Sequence, residues 1–485
     1  EAVEAHLARI EAVNPALNAV VVTRFAEARA EAERADAARR AGAPLGPLHG
    51  VPVTLKDMFA LAGTPATLGV AGAPRARADG PLVGRLRAAG AIVLGKTNVP
   101  QLLIYNETDN PLYGRTNHPE RADRSPGGSS GGEAAIVAAH GSPLGLGSDI
   151  GGSLRCPAHA CGIAALKPTS GRLTNEDARE AGYAGGQTAL VSQPGPLARS
   201  VADLTLAMGV LAAPGQTELD PQIAPVPWRE PGAVDVRALR VAVYEDDGFF
   251  PAAPPVRRAV REAAAALARL GVRVEPFEPP AVGHAMALFQ GLLSADGARA
   301  ARRRLGRGER DRRVSGLLQL AGLPNAWRPA AVGAATLLGQ RRLAGQIAAI
   351  RERTVAEYWA LIEEQQAYRR RFLAALDRGG FDAILCPPHA LPALIHGAAY
   401  YLSTAASYAM LYNLLGMPAG VVPVTRVRAD EARPRGFGLD MVAKTARAVE
   451  RGSAGLPVGV QVVARHWRED VALALMGALE AAGLD

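Results

Sequence analysis

Lysine is scarce in this chain: the basic residues are almost all arginine, and only Lys56, Lys96, Lys167 and Lys444 break the pattern. The distinction is chemical, because arginine stays protonated in a protein whereas a desolvated lysine can lose its proton and serve as a base. Lys56 lies in the run Gly50-Val-Pro-Val-Thr-Leu-Lys-Asp57. Downstream lie two glycine-flanked serine loops, Pro126 to Gly132 around Ser129 and Ser130, and Gly147-Ser148-Asp149-Ile150-Gly151-Gly152-Ser153-Leu154-Arg155. Glycines beside a serine let backbone amides approach a ligand, and a loop feeding a helix start aims free N–H groups at developing negative charge. That is an oxyanion hole in outline. Either loop alone reads as an ordinary tight turn. Two such loops together with Lys56 are far more specific than each part.

Two other motifs compete for attention. Gly90-Ala-Ile-Val-Leu-Gly95-Lys96-Thr97 satisfies GxxxxGK[ST], which in a flexible loop would cradle nucleotide phosphates. Here the four variable positions are a β-prone apolar run and Pro100 closes the segment, so a buried strand ending in a turn is the expectation. Gly127 to Gly132 also holds GxSxG in two registers, the pattern of a nucleophile elbow. That elbow needs a preceding strand, and Glu120 to Pro126 is polar and ends in proline. Of the nine histidines only His389 and His396 lie where a triad base would be expected, which leaves Ser-His-Asp catalysis a distant alternative.

These loops must be held by a scaffold. With 485 residues, 48% of them hydrophobic, the chain can bury a large core. A net charge of +8 from 54 basic and 46 acidic residues, interspersed in sign, does not indicate nucleic-acid binding. There is no run of about 18 apolar residues that would span a membrane. Cys156, Cys161 and Cys386 are odd in number and lack CxxC spacing, so they read as buried small side chains rather than a disulfide framework or zinc site. Residues 1–40 read as a helical segment with Val3, Leu7, Ile10 and Val13 at helical spacing. Short apolar runs at Val51 to Leu55, Ala91 to Leu94 and Pro143 to Leu146 then alternate with turns, and a short buried helix, Glu133 to Ala139, joins the serine loops. Further on come a helix over 256–269, a strand over 272–274, and strands at Ala383 to Cys386, Ala419 to Val424 and Pro457 to Val463. This texture predicts an α/β sandwich around a largely buried sheet, with no repeat and no long linker. Within 301–345 a basic run from Arg302 to Arg313 precedes Leu317, Leu318, Leu320, Leu323, Trp327, Val332, Leu337 and Leu338. Such a pairing suits a membrane interface or a helical hairpin covering the core, and both readings stay open.

Taken together, these segments resemble the amidase signature family, whose hallmark run is matched from Pro126 through Arg172, including Gly162 and Lys167-Pro168-Thr169. The resemblance implies an α/β fold with a central, mostly mixed β-sheet sandwiched by α-helices. It implies one amidase domain over 1–485, with a signature core over about 48–205 and a helical cap insertion over about 284–375. It also implies a Ser-Ser-Lys triad: Ser153 as nucleophile, Ser129 as bridging serine after a cis peptide bond, and Lys56 as base. By the same correspondence Ile150, Gly151, Gly152 and Ser153 supply the oxyanion hole, and Ser130, Asp149 and Arg155 brace the site.

Within that family the chain is most similar to the fatty acid amide hydrolases, through Asn98-Val-Pro-Gln101, Asn110-Pro-Leu-Tyr-Gly114, Ser142 to Gly147, Ser407 to Asn413, Pro418 to Thr425 and Gly455-Leu-Pro-Val458. Leu103 and Ile104 fall where those enzymes line the acyl pocket, and 316–338 falls on their membrane-facing cap, here richer in Ala and Arg than a strong anchor. The implied activity is amide hydrolysis through an acyl-enzyme, with apolar acyl groups preferred and ester or carbamate cleavage left open. A glutamine-dependent amidotransferase subunit is the alternative, and a nucleotide-binding protein a distant one. Neither a metal nor an organic cofactor is expected. The expected partner is a small-molecule amide and not nucleic acid, with weak peripheral membrane contact through 316–338 and a homodimer both left open. A cytoplasmic location is expected, and because the chain opens on Glu1 an upstream signal could be missing from this numbering.

Overall fold

Short runs of Val, Ile, Leu and Ala, apolar on both faces, build an eleven-stranded sheet in the computed structural model, which describes residues 1–177, 186–218, 220–436 and 440–483. The strands are β1 (Val20–Thr23), β2 (Pro52–Lys56), β3 (Ile92–Thr97), β6 (Leu144–Asp149), β7 (Ala164–Lys167), β8 (Gln193–Ala198), β9 (Arg240–Val243), β10 (Arg273–Pro276), β11 (Ala383–Cys386), β12 (Ala419–Arg426) and β13 (Pro457–Ala464). A separate two-stranded ladder pairs β4 (Asp109–Asn110) with β5 (Gly114–Arg115). The order across the large sheet is β1-β3-β2-β6-β8-β7-β12-β13-β11-β9-β10. The contacts β3/β2/β6 and β11/β9/β10 are parallel and the others antiparallel, giving the mixed α/β sheet between helices that the sequence predicts.

Three features position the chemistry. Lys56 ends β2 and Asp149 ends β6, which run parallel side by side with Thr54 opposite Gly145 and Leu55 opposite Leu146. The carboxyl ends of adjacent parallel strands therefore deliver both residues to one place, the usual location for a site in a sheet of this kind. The helix Gly131–Ala138 leaves the first serine loop and is buried along nearly all its length, while Arg155–Cys161 leaves the second. Over this end of the sheet lies a helical stretch comprising Val282–Leu293, Arg299–Leu305, Arg312–Ala321, Arg328–Leu337, Arg341–Ala349 and the long Val355–Gly379. Arg328 ties this layer together: its guanidinium donates to the carbonyls of Ile347, Ile350, Leu320, Ala321 and Leu323, the orphan acceptors at two helix ends.

The continuous helical reading of 1–40 needs correction. Helices Ala2–Leu17 and Phe25–Arg40 are separated by edge strand β1. Asn18 closes the first helix in the left-handed region, and the Asn14 side chain accepts from the N–H groups of Ala19 and Val20, which turns the chain before it pairs with β3. The strand expected over 272–274 forms slightly later, as β10. The phosphate-loop lookalike is strand β3; Lys96 within it is buried and ion-paired with Asp57 at 2.8 Å. A Cβ on Gly95 would press on the Val22 carbonyl of β1 at 2.3 Å, so this segment is a close-packed strand and not a phosphate nest. Among the described residues no helix is long and apolar enough to cross a membrane.

Candidate active site

The two serine loops and Lys56 converge. Lys56 Nζ, fully buried, lies 2.7 Å from Ser129 Oγ, 3.0 Å from Ser148 Oγ and 3.4 Å from the Ser148 carbonyl. Burial pushes the Lys56 ammonium down to about 7, against the opposing pull of Asp149 and Glu133. Ser130 joins the loops: its N–H donates to the Ser153 carbonyl at 3.1 Å, and its hydroxyl donates to the Ser148 carbonyl at 3.3 Å. The peptide bond before Ser129 is cis. Among the described residues no hydrogen bond joins Ser129 to Ser153.

Asp149 and Arg155 hold the second loop in shape. Asp149 Oδ1 accepts from Gly152 N at 2.8 Å, Arg155 at 2.9 Å and Asn413 Nδ2 at 2.9 Å, and Oδ2 accepts from Leu154 N at 3.1 Å and Arg155 Nε at 2.9 Å. Burial opposes its charge, but the Arg155 guanidinium holds the carboxyl well below the usual carboxylate range. Arg155 also donates to Gln461 and Asn413, so no face of this buried pair is left open. Gly152 has φ +102°, and a Cβ there would meet Cys156 Sγ at 2.6 Å. Of the four N–H groups expected to face an oxyanion, that of Gly152 is engaged by Asp149; those of Ile150, Gly151 and Ser153 meet no acceptor among the described residues.

A cavity of about 910 Å³ opens over Ser153. Ile150, Gly151, Leu103 and Ile104 line its floor side, and Phe289, Leu292, Leu318, Leu320, Ile347 and Met410 contribute much of its apolar wall. The overlying helices are bonded to the serine loop's support. Arg313 reaches Glu107 at 3.1 Å and Asp109 at 3.0 Å, and the Tyr105 hydroxyl donates to the Arg313 carbonyl at 3.1 Å. Gly128 packs so closely on this 105–109 segment that a Cβ would stand 2.5 Å from Glu107 N.

Of the histidines weighed for a triad, His389 Nδ1 bonds to Leu391 and His396 Nε2 to the Ala122 carbonyl, and neither bonds to a serine. Residues the sequence did not single out are Ser148, Asn413, Gln461 and Glu133. The last is buried, accepts from Thr54 at 2.6 Å and Thr97 at 2.8 Å, and is pushed up from the usual carboxylate range by burial, against the pull of those two hydroxyls and of Lys56. Its position directly after Gly131-Gly132, at a helix start, was the available signal. Asn413 and Gln461 lie hundreds of residues away, in a segment read only for its resemblance and in a strand, and nothing there marked either for the site. Among the described residues no group of three or more His, Cys, Asp or Glu side chains is placed to hold a metal ion.

Comparison with known proteins identifies the family. The model of the family described as Amidase matches residues 1–473. The chain is 38% identical to fatty-acid amide hydrolase 1 of Sus scrofa over 443 residues, covering 90% of this chain and 76% of that one. It is 33% identical to amidase 1 of Gibberella moniliformis over 97% of this chain and 87% of its relative. A solved fatty acid amide hydrolase superposes with a TM-score of 0.84 at 25% identity, covering all of this chain and 83% of that structure. With its mixed sheet, paired serine loops and buried lysine, this chain belongs to the amidase family, hydrolases of amide C–N bonds, and within it is similar to the fatty acid amide hydrolases.

Proposed function

We propose that this chain is a serine amidohydrolase for small-molecule amides with apolar acyl groups, working through Ser153, Ser129 and Lys56. The observation that carries the reading is the desolvated Lys56 amine 2.7 Å from Ser129 Oγ, with no carboxylate of the described residues within ion-pairing distance to hold its proton. Ser153 Oγ attacks the carbonyl carbon and passes its proton to Ser129, whose own proton goes to Lys56. The oxyanion is met by the N–H groups of Ile150, Gly151 and Ser153, with that of Gly152 shared with Asp149. As the C–N bond breaks, the proton returns from Lys56 through Ser129 to the leaving nitrogen, which cannot depart as an anion. Water then attacks the Ser153 ester by the same relay. Ser130, Asp149 and Arg155 keep the loops in register.

The apolar lining of the 910 Å³ cavity, with Leu103 and Ile104 beside Ser153, supports an acyl pocket. We read the chain as one amidase domain with a core over about 48–205 and a cap over about 284–375. The cap's 316–338 segment exposes Trp327 and Leu337, which supports loose membrane contact by a protein located in the cytoplasm. Ammonia transfer to a partner subunit is not favoured, because the similarity spanning nine-tenths of the chain is to an amide hydrolase.

The test is fluorophosphonate labelling with peptide mapping, alongside kcat for Lys56→Arg and Lys56→Ala. Label on Ser153 alone and two inactive, folded lysine variants are expected. Label on Ser129 or Ser130 with Ser153 untouched, or an active arginine variant, overturns the reading.

A further inference from the structure

Glu133 has no part in the relay, yet it is built into it. The residue occupies the first turn of the helix Gly131–Ala138, four positions after Ser129, and none of it reaches solvent. Its carboxyl oxygens take hydroxyl protons from two neighbouring strands: Thr54 Oγ1 of β2 at 2.6 Å and Thr97 Oγ1 of β3 at 2.8 Å. Thr54 precedes Lys56 by two residues, so both side chains leave β2 on the same face, and Thr97 is the register partner of Lys56 on β3. One carboxyl group thus fastens the helix that leaves Ser129 to the strand that carries Lys56. Room for it comes from Gly145 on β6, where a Cβ would stand 2.2 Å from Glu133 Oε2.

Among the described residues Glu133 and Lys56 form no ion pair, but each feels the other's charge across an interior that screens poorly. Asp149, at the end of β6, is the second acid that acts on Lys56, and it is neutralised by Arg155 and bordered by Lys167. Lys96 alternates with Thr97 along β3, so its ion pair with Asp57, the residue after β2, lies off the opposite face of β3. The hydrogen-bond partners of Lys56 Nζ among the described residues are the hydroxyls of Ser129 and Ser148 and the Ser148 carbonyl, none of them charged.

Resting on the reading of Lys56 as the base, we propose that Glu133 is its positioning residue: the carboxyl group aligns β2 against the Ser129 helix and, through its own charge, sets the pH at which Lys56 becomes an amine. An ionised Glu133 favours the ammonium form; a neutral one releases the proton. The burial that drives Glu133 towards its acid form therefore works in the same direction as the burial of Lys56. The two threonine hydroxyls oppose it by favouring the carboxylate. A neutral Glu133 also has an outlet for its own proton, because Thr97 Oγ1 can donate to the Leu55 carbonyl at 3.5 Å while accepting from the acid.

The test is the pH profile of kcat/KM for hexanoyl anilide hydrolysis by the full chain, in wild type, Glu133→Gln and Thr97→Val, with folding checked by circular dichroism. Gln keeps the shape and never ionises, and Val removes one hydrogen bond that favours the carboxylate. Both variants are expected to move the acid limb to lower pH by about 0.5 unit or more, which is about threefold more of the plateau rate retained well below the midpoint. A purely structural Glu133 would lower the plateau without moving the limb. An unmoved or upward-moved limb in folded Glu133→Gln overturns the proposal. If that variant does not fold, Thr97→Val alone decides by the same criterion. An active Lys56→Arg sinks the underlying reading instead; an inactive Lys56→Arg with an unmoved limb in Glu133→Gln sinks only this one.

Discussion

Replacing Asp149 by Asn changes one buried oxygen into an NH2 group and removes one buried charge. Oδ2 now accepts from Leu154 N and Arg155 Nε, so an amide nitrogen there sets donor against donor; turned the other way, it opposes Gly152 N and Asn413. Neither orientation supplies a counter-charge to Arg155, which has no solvent exposure. Breaking a buried pair from one side costs about 3–5 kcal/mol, because the other charge stays behind. At about 2.1 cal/mol/K per residue, a chain of this length unfolds with an entropy of roughly 1 kcal/mol/K, so Asp149→Asn should lower Tm by about 4 °C. The double variant Asp149→Asn/Arg155→Met removes the stranded charge and should recover part of that loss. Differential scanning calorimetry at one scan rate measures both, and fluorophosphonate labelling should slow at least ~10-fold as Gly152 loses its acceptor. A single variant melting within about 1 °C of wild type would refute the claim that this pair holds the nucleophile loop.

Gly152→Ala places a side chain at φ +102° against Cys156 Sγ, and should cost about 1–3 kcal/mol with most of the labelling rate lost; a normal labelling rate would show the loop to be forgiving. His389 is buried and pushed down to about 4, so its contribution to stability is present above the unfolded value of about 6.5 and is lost as pH falls from there towards 4. Buried acids such as Glu133 shift the opposite way, so the comparison is between proteins: from pH 7.5 to 5, His389→Asn should lose about 2 °C less Tm than wild type, and equal losses would count against it. Each methylene buried in the cavity should add about 0.8 kcal/mol, so hexanoyl anilide should exceed acetanilide in kcat/KM, and Phe289→Ala should narrow the gap; equal kcat/KM for the two anilides would exclude the acyl pocket. Liposome flotation should recover only a minor, salt-sensitive fraction of the protein, and salt-resistant binding lost on deleting 316–338 would reveal a stronger anchor.

What the sequence revealed about the site depended on how local each part is. Lys56, Ser129 and Ser153 are flanked by glycines or end an apolar run, and such signals survive in a linear reading. The scarcity of lysine was informative but not selective. Lys56, Lys96 and Lys167 are all fully buried, yet Lys96 pairs with Asp57 and Lys167 donates to the Pro168 carbonyl, and only Lys56 bonds to a serine of the paired loops, so only the surroundings separate the proposed base from the other two. Asn413 and Gln461 lie 258 and 306 residues from Arg155, and only the sheet brings them to it. Glu133 was visible as a helix-start acid, a position usually explained by the helix dipole, and nothing local indicated the two threonines that receive it. Apolar runs located β2, β3, β6, β11, β12 and β13, but the short β7 and β9 went unread, as did β8, whose Gln-Pro-Gly-Pro-Leu-Ala is not an apolar run. The four-residue edge strand β1 escaped because the Asn-rich turn before it leaves no break in the helical spacing on either side.

The junction at Arg313 bears on how such an enzyme can be re-engineered. Exchanging the helices over the cavity for those of a relative is an obvious route to a new substrate range. Here, however, the guanidinium that closes the cavity's support is also the cation beside Glu107, which is 1% exposed. A graft that omits it leaves a buried carboxylate beside Gly128 without its arginine, held by the N–H groups of Gly397 and Ala399, and the damage would surface as lost turnover on every substrate, old and new alike. The transferable unit is therefore discontinuous, residues 299–349 together with 105–109, and a chimera built across only the first boundary would be misjudged as having the wrong pocket when its fault is a missing counter-charge.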